Sequence, residues 1–492
     1  MNPDLNPKQQ PEDKDTSLRM ILPSPSERQP ASSFVVPMAS PAPKTKQSAE
    51  SEAYPNWGAL DLIKGATPLA AATGGGYESI VQLLLDTFPY CAYDDDYNLF
   101  FGLDALQAAA KGGYKSIVQL LLDKHAKSDA PAAPLFGQTA LQAAAESGHG
   151  DIVQLLLDKG AKVNASAAQY CGLTAMQAAA KGGHSTIVRL LIDKKAEVNV
   201  PAAPIYGLTA LQAAARGGHS TIVQLLLHNK ANVDAPSAAY EGGVTALQAA
   251  AEGGHASIVK LLLDKKAKVN TQSSPDDETT ALEAAAGGGY QSIVEALLRE
   301  EDVDVNVKAA YVYGRTALQS AAEGGYKSIV ELLLEKGAEV NAPAAGYGGR
   351  TALQAAAEQG HESIVRLLVD KGADVKTGAE EWNVPEANLK VTALQAPSGA
   401  GFESVVRFLL DKGANPSDGA AHHGGRTSLQ MVSEHGRETI VRLLLEEKAD
   451  VNAGCAWDCG FTALQAGARS GCQAIVEMLL DKGAKVNEEA CQ

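Results

Sequence analysis

Residues Thr139 to Ala165 read TALQAAAESGHGDIVQLLLDKGAKVNA. The spacing predicts two short helices joined by a glycine turn. Leu141, Ala144 and Ala145 give the first helix one apolar face, and Ile152, Val153, Leu155, Leu156 and Leu157 do the same for the second. Neither helix is long enough to be stable alone in water, so the stretch needs neighbours to cover its apolar side. The chain supplies them. The same pattern starts again at Thr67, Asp104, Thr174, Thr209, Thr245, Thr280, Thr316, Thr351, Thr392, Thr427 and Thr462, mostly 35 or 36 residues apart. A period of this size means a stacked array rather than one closed core.

The pattern T-A-L-Q-A-A-A-x-x-G-H, followed by I-V-x-L-L-L-x-x-G-A-x-V-N, resembles the ankyrin repeat. The resemblance runs from about residue 57 to residue 488 and recurs in all twelve copies. Two departures stand out. The usual T-P-L-H is T-A-L-Q here, and only Thr67-Pro68-Leu69 approaches the family form. The period is also about two residues longer than usual, with the extra length in the connecting fingers. In this the chain resembles the ankyrin arrays of filamentous fungi, including those of NLR-like (NACHT) proteins. The resemblance implies an all-α solenoid of about twelve helix-turn-helix repeats with short finger loops, and partner binding along the face of the first helices.

Four regions follow. Residues 1–56 form a Pro-rich leader; residues 1–55 hold ten of the 22 prolines and too little apolar surface to order themselves. Repeats 1–9 occupy residues 57–375. An inserted finger, residues 376–391, stretches one spacing to 41, and repeats 10–12 with a short tail occupy residues 392–492. The aromatic run within Thr87–Phe101 is expected to cap the open apolar end of the first repeat. Pro397 falls in the middle of a first helix, where proline costs about 3 kcal/mol. The array is therefore expected to be weakest there, and its last repeat under-covered.

Composition narrows the function. The net charge of −16 disfavours sequence-independent binding to nucleic acid or to anionic membrane. No stretch of 18 apolar residues exists to span a membrane, and the N-terminal acidic residues argue against a targeting peptide. Six cysteines in 492 residues suit a reducing compartment, cytosol or nucleus. Neither a phosphate loop nor a hydrolase, zincin or kinase signature occurs. The expectation is a chain that is not an enzyme and needs no cofactor. Cys455 and Cys459 have the spacing of one zinc-binding pair, but Cys472 and Cys491 make no second pair, so no metal site is expected.

Certain positions repeat with a purpose. Glycine at the tenth position of every copy implies a left-handed turn between the helices. The eleventh is His149, His184, His219, His255 and His361 in five copies, but Tyr, Phe, Arg or Cys elsewhere; such a mixture suits a structural role, not catalysis. Ser, Thr or Asp precedes the Ile-Val (or Val-Val) pair in eleven copies and is expected to cap the second helix. The second helix closes on glycine in some repeats and on His125, Lys195, Lys230, Lys266 or Lys448 in others, which implies left-handed backbone there too.

The candidate binding surface comes from what varies. The fourth and eighth residues of the first helix are expected on one face. The fourth is Gln in ten copies, whereas the eighth changes: Lys111, Glu146, Lys181 and Arg216 over repeats 2–5, then mostly Glu. Finger-tip aromatics are most regular over the same span: Phe101, Phe136, Tyr170, Tyr206 and Tyr240. These nine residues are the expected partner site. Its chemistry fits protein partners with acidic or phosphorylated segments, as for a scaffold or adaptor. The competing reading is a regulatory or receptor-type subunit working beside a separate nucleotide-binding or enzymatic chain.

Overall fold

A computed structural model describes residues 68–87, 105–130, 137–166, 168, 172–203, 207–236, 244–272, 279–308, 314–345, 349–376, 392–418, 426–454 and 461–486. The leader, most of the inserted finger and all the finger aromatics named above lie outside these residues, as do Cys455, Cys459 and Cys491. The described residues form 24 helices and no strand. They pair in chain order as two helices per repeat, so the all-α ankyrin-type solenoid expected from the repeats is what forms.

In repeat 4 the first helix is Ala175–Lys181 and the second Ser185–Asp193. First helices pack on first helices of neighbouring repeats far more extensively than second helices pack on one another. Side-chain size explains this. Ala178, Ala179 and Ala180 are fully buried and let backbones approach, while Ile187, Val188 and Leu191 fill the wider space beside them. Each such Ile or Leu contributes roughly 1.5–3 kcal/mol by burial. One continuous apolar core results, running from Leu69 to Ala484.

The Thr and Gln of T-A-L-Q explain each other. Thr174 caps the first helix by accepting the Gln177 N–H, and the Gln177 side chain accepts the Thr174 N–H, 2.8 Å, in return. The Gln177 amide then donates to the carbonyls of Val200 and Pro201, both 3.2 Å, in the loop leaving the same repeat. Repeats 3, 5, 8 and 11 make the same set through Gln142, Gln212, Gln319 and Gln430. The expectation that the fourth residue shares a groove face with the eighth is therefore corrected: Gln177 is 1% exposed. Its three polar contacts make that burial affordable, because an unmatched amide there would cost about 1–3 kcal/mol.

A second correction concerns the start of the second helix. The N-cap is the eleventh residue, and it makes no side-chain cap bond. Asp151 does take up a helix-start amide, the Ile152 N–H at 3.0 Å, but the Ser before the Ile-Val pair lies inside the helix and reaches the repeat before it. Ser116 donates to the Glu78 carboxylate, 2.7 Å, and Ser257 meets Ser220 at 3.3 Å. At the other end of the second helix, Asp86, Asp123 and Asp158 each bind a Gln amide of their own helix and a Lys of the next repeat. The Gln hydrogen bonds first, and the Lys bonds second, hold these carboxylates below the ordinary value. Such exposed pairs add little stability but fix the register of stacking.

The third correction is at Pro397. The first helix of repeat 10 starts late, at Gln395, and runs only to Ala400. Thr392 and Gln395 still exchange their two bonds, at 2.6 and 3.3 Å. Pro397 thus sits in the first turn, where its missing N–H would have no helical partner anyway. The helix yields length instead of accepting a mid-helix proline.

The left-handed helix ends are present. Gly160, Gly337, Gly372, Gly413 and Gly483 have φ between 87° and 92°, and His125, Lys195, Lys230, Lys266 and Lys448 have φ between 61° and 70°. A non-glycine in this conformation costs about 1 kcal/mol. Lys195→Gly and Lys266→Gly are each expected to raise the chemical-denaturation midpoint by an amount equivalent to about 1 kcal/mol. A lowered or unchanged midpoint for both would refute the strain.

Candidate functional site: the eighth-residue row

The eleventh residue builds the site by fixing the backbone beneath it. His184 Nε2 lies 2.9 Å from the Glu146 carbonyl oxygen of the preceding repeat. His149, His219, His255 and His361 reach the carbonyls of Lys111, Lys181, Arg216 and Glu323 in the same way, at 3.0–3.2 Å. A carbonyl only accepts, so each imidazole presents an Nε2–H. The carbonyl involved is always that of the eighth residue. Each ring also covers the glycine turn of the preceding repeat. The histidines are therefore structural, as their replacement by Tyr and Phe implies.

The eighth residue is thus anchored through its backbone while its side chain stays outside the core. Lys111, Lys181 and Arg216 are exposed and Glu146 is half-buried. The charges are not isolated from one another. Lys181 pairs with Glu146 at 3.7 Å and Arg216 with Glu252 at 3.3 Å, both across a repeat junction. Gln138 also donates to the Glu146 carboxylate. The structure brings Glu146 and Lys181 together, and Arg216 with Glu252, which the sequence reading did not place in the site. Lys111 forms no ion pair among the described residues. Phe101, Phe136, Tyr170, Tyr206 and Tyr240 lie outside the described residues.

Later repeats treat the row differently. The residue before the first Thr becomes Arg, and it pairs with the eighth-position Glu of its own repeat: Arg315 with Glu323, Arg350 with Glu358 at 3.0 Å, and Arg426 with Glu434. In repeat 12 the polarity is reversed, with Arg469 lying 4.9 Å from the Phe461 ring centroid. This recurrence of Arg eight residues before Glu was visible in the sequence but was not recognised as a pair. Repeats 4–6 carry Leu173, Leu208 and Val244 at that position, and their eighth residues pair across junctions instead.

Among the described residues no group of His, Cys, Asp and Glu could hold a metal ion, and no helix is long and apolar enough to cross a membrane. Cys472 is free and half-buried.

Stacked helix pairs with a recurring row of variable side chains define a repeat solenoid. The family described as "Ankyrin repeats (3 copies)" matches residues 49–127, 69–167, 164–237, 236–309, 303–379, 344–420, 379–455 and 396–490. The chain belongs to the ankyrin-repeat family, whose repeats generally serve protein–protein interaction. No curated protein matches the chain.

Proposed function

We propose that the chain is a non-enzymatic scaffold or adaptor whose partner lies along the eighth-residue row of repeats 2–5. The observation that carries this reading is the division of labour at each eighth residue. Its carbonyl is pinned by the next repeat, while its side chain changes freely from repeat to repeat. A position held rigidly but not used for packing is suited to recognition. Lys111, Lys181 and Arg216 favour an acidic or phosphorylated segment. The exposed Glu146–Lys181 and Arg216–Glu252 pairs are worth little, so an incoming anionic group exchanges for the Glu at small cost. Finger aromatics Phe101, Phe136, Tyr170, Tyr206 and Tyr240 would supply apolar anchors. The likeness to arrays of fungal NLR-like proteins extends this reading to a signalling role, in cytosol or nucleus, with any nucleotide-binding part on a separate chain.

The test is the charge-reversed triple Lys111→Glu, Lys181→Glu, Arg216→Glu. It is expected to fold normally, by helical circular dichroism, because all three side chains are exposed and make only surface contacts. Partners captured by the wild type should be lost. Retention of the same partners by a folded triple variant would move the site off this row.

A further inference from the structure

A second cationic feature lies at the other end of the helix pairs. Of the five non-glycine residues in left-handed conformation among the described residues, three fall in consecutive repeats 4, 5 and 6: Lys195, Lys230 and Lys266, with φ of 66°, 61° and 62°. All three are exposed. Equivalent glycines show that folding needs no side chain there; a Cβ added at Gly160, Gly337 or Gly372 would meet nothing within 4 Å. An exposed residue kept in a strained conformation where glycine serves equally well points to use rather than to stability. A helix C-terminus does favour a cation. In repeats 4 and 6, however, Lys194 and Lys265 already occupy the preceding C-cap. The second lysine is surplus to that need.

The surrounding charge supports the same conclusion. Residues 105–272 hold 16 Lys and Arg against 11 Asp and Glu, whereas residues 273–492 hold 19 against 33. The acidic chain thus contains one net-positive block, and the three lysines lie in its second half. None of Lys195, Lys230, Lys266 or the adjacent Lys265 and Lys268 forms an ion pair among the described residues. The carboxylates close in sequence are Asp193, Glu197, Asp234 and Asp264, and in repeat 7 the row of lysines gives way to Glu300, Glu301 and Asp302, where Asn270 bonds the Asp302 carbonyl as Asn199 bonds that of Lys230. Two of the first four are engaged within the loops: Asp234 accepts the Lys268 backbone N–H at 2.9 Å, and Glu197 accepts from the Asn164 amide at 3.5 Å.

We infer that Lys195, Lys230 and Lys266 form a docking row for an extended acidic segment of a partner protein, with a carboxylate at every third residue. Spacing selects this ligand. Helices in contact lie roughly 8–10 Å apart. A polyproline-II segment has three residues per turn and rises about 3.1 Å per residue, so every third side chain returns to one face after about 9.3 Å. A short peptide meets only the local row, whereas a long nucleic acid would also meet the field of the acidic remainder. The row is independent of the eighth-residue row, which sits at the opposite end of the helix pairs, and each can fail without the other.

The probes are fluorescently labelled (Glu-Pro-Pro)5, its neutral counterpart (Gln-Pro-Pro)5, and a 15-nucleotide oligouridylate, titrated by anisotropy with the full chain. The wild type should bind the Glu peptide at least tenfold more tightly than the Gln peptide, with affinity falling as salt rises. The variant Lys195→Gly, Lys230→Gly, Lys266→Gly should lose at least tenfold while its denaturation midpoint rises, which separates lost binding from lost folding. Lys448→Gly, outside the row, should raise the midpoint and leave binding unchanged. Equal affinity for the two peptides, full affinity in the triple variant, or binding of the oligouridylate in preference to the Glu peptide would each overturn the assignment.

Discussion

Gly183→Ala should destabilise the array by about 3 kcal/mol, several times the loss from Gly160→Ala. Both glycines are left-handed, with φ of 78° and 91°, so each replacement carries about 1 kcal/mol of backbone strain. They differ in what the added carbon meets. At Gly160 it meets nothing within 4 Å; at Gly183 it would sit 2.6 Å from Cε1 of His219 in the next repeat. The ring must move off the turn, and the Lys181 carbonyl then loses the His219 bond of 3.2 Å. A lost hydrogen bond contributes about 1 kcal/mol and disturbed packing about as much again. Urea denaturation of the two variants beside the wild type measures the difference. Equal losses would mean that the histidine ring is not a structural element of the junction. The His219→Ala, Gly183→Ala double variant provides a further check, because its loss should be smaller than the sum of the two single losses.

The helix pairs and their junctions could be read from the sequence because both depend on local spacing repeated twelve times. The left-handed positions were legible for the same reason: Gly alternates with Lys at one place, and only backbone geometry links those two residues. The Gln of T-A-L-Q was legible in type but misplaced. Its distance from Thr is that of a capping box, yet its variable neighbour four residues on suggested a shared surface. What decides its burial is the loop carbonyls 23 and 24 residues away, and nothing local reveals those. The same holds for the eighth-residue row. Its members were identifiable by their variation, but Lys181–Glu146 and Arg216–Glu252 depend on stacking register. Ser116 and Ser257 were assigned to caps from residue type alone, although their hydroxyls serve the neighbouring repeat.

Repeats 10–12 should unfold apart from repeats 1–9. Stability in a linear array is close to a sum of repeat terms and nearest-neighbour terms, so a weak junction divides it. The junction between repeats 9 and 10 has the least extensive packing between successive first helices. The late start at Gln395 explains this, because a six-residue helix offers less surface than the seven residues of Ala352–Glu358 facing it. The second helices compensate in part. Arg366 of repeat 9 lies 4.3 Å from the ring centroid of Phe408 in repeat 10, whose other cationic neighbour is Lys412 at 5.5 Å. Such a contact contributes about 0.5–1 kcal/mol when exposed, too little to replace a full junction. Two transitions are therefore expected in urea, with the first assigned to residues 392–486 by a probe placed there. Limited proteolysis should cut between Lys376 and Lys390 before it reaches any helix of repeats 2–8. Pro397→Ala restores the N–H and lets the helix begin directly after Thr392, as in the other repeats. That variant should raise the lower midpoint by the equivalent of about 1–3 kcal/mol and draw the two transitions together. A single transition in the wild type, with residues 376–390 uncut, would show that the second-helix contacts carry the coupling alone.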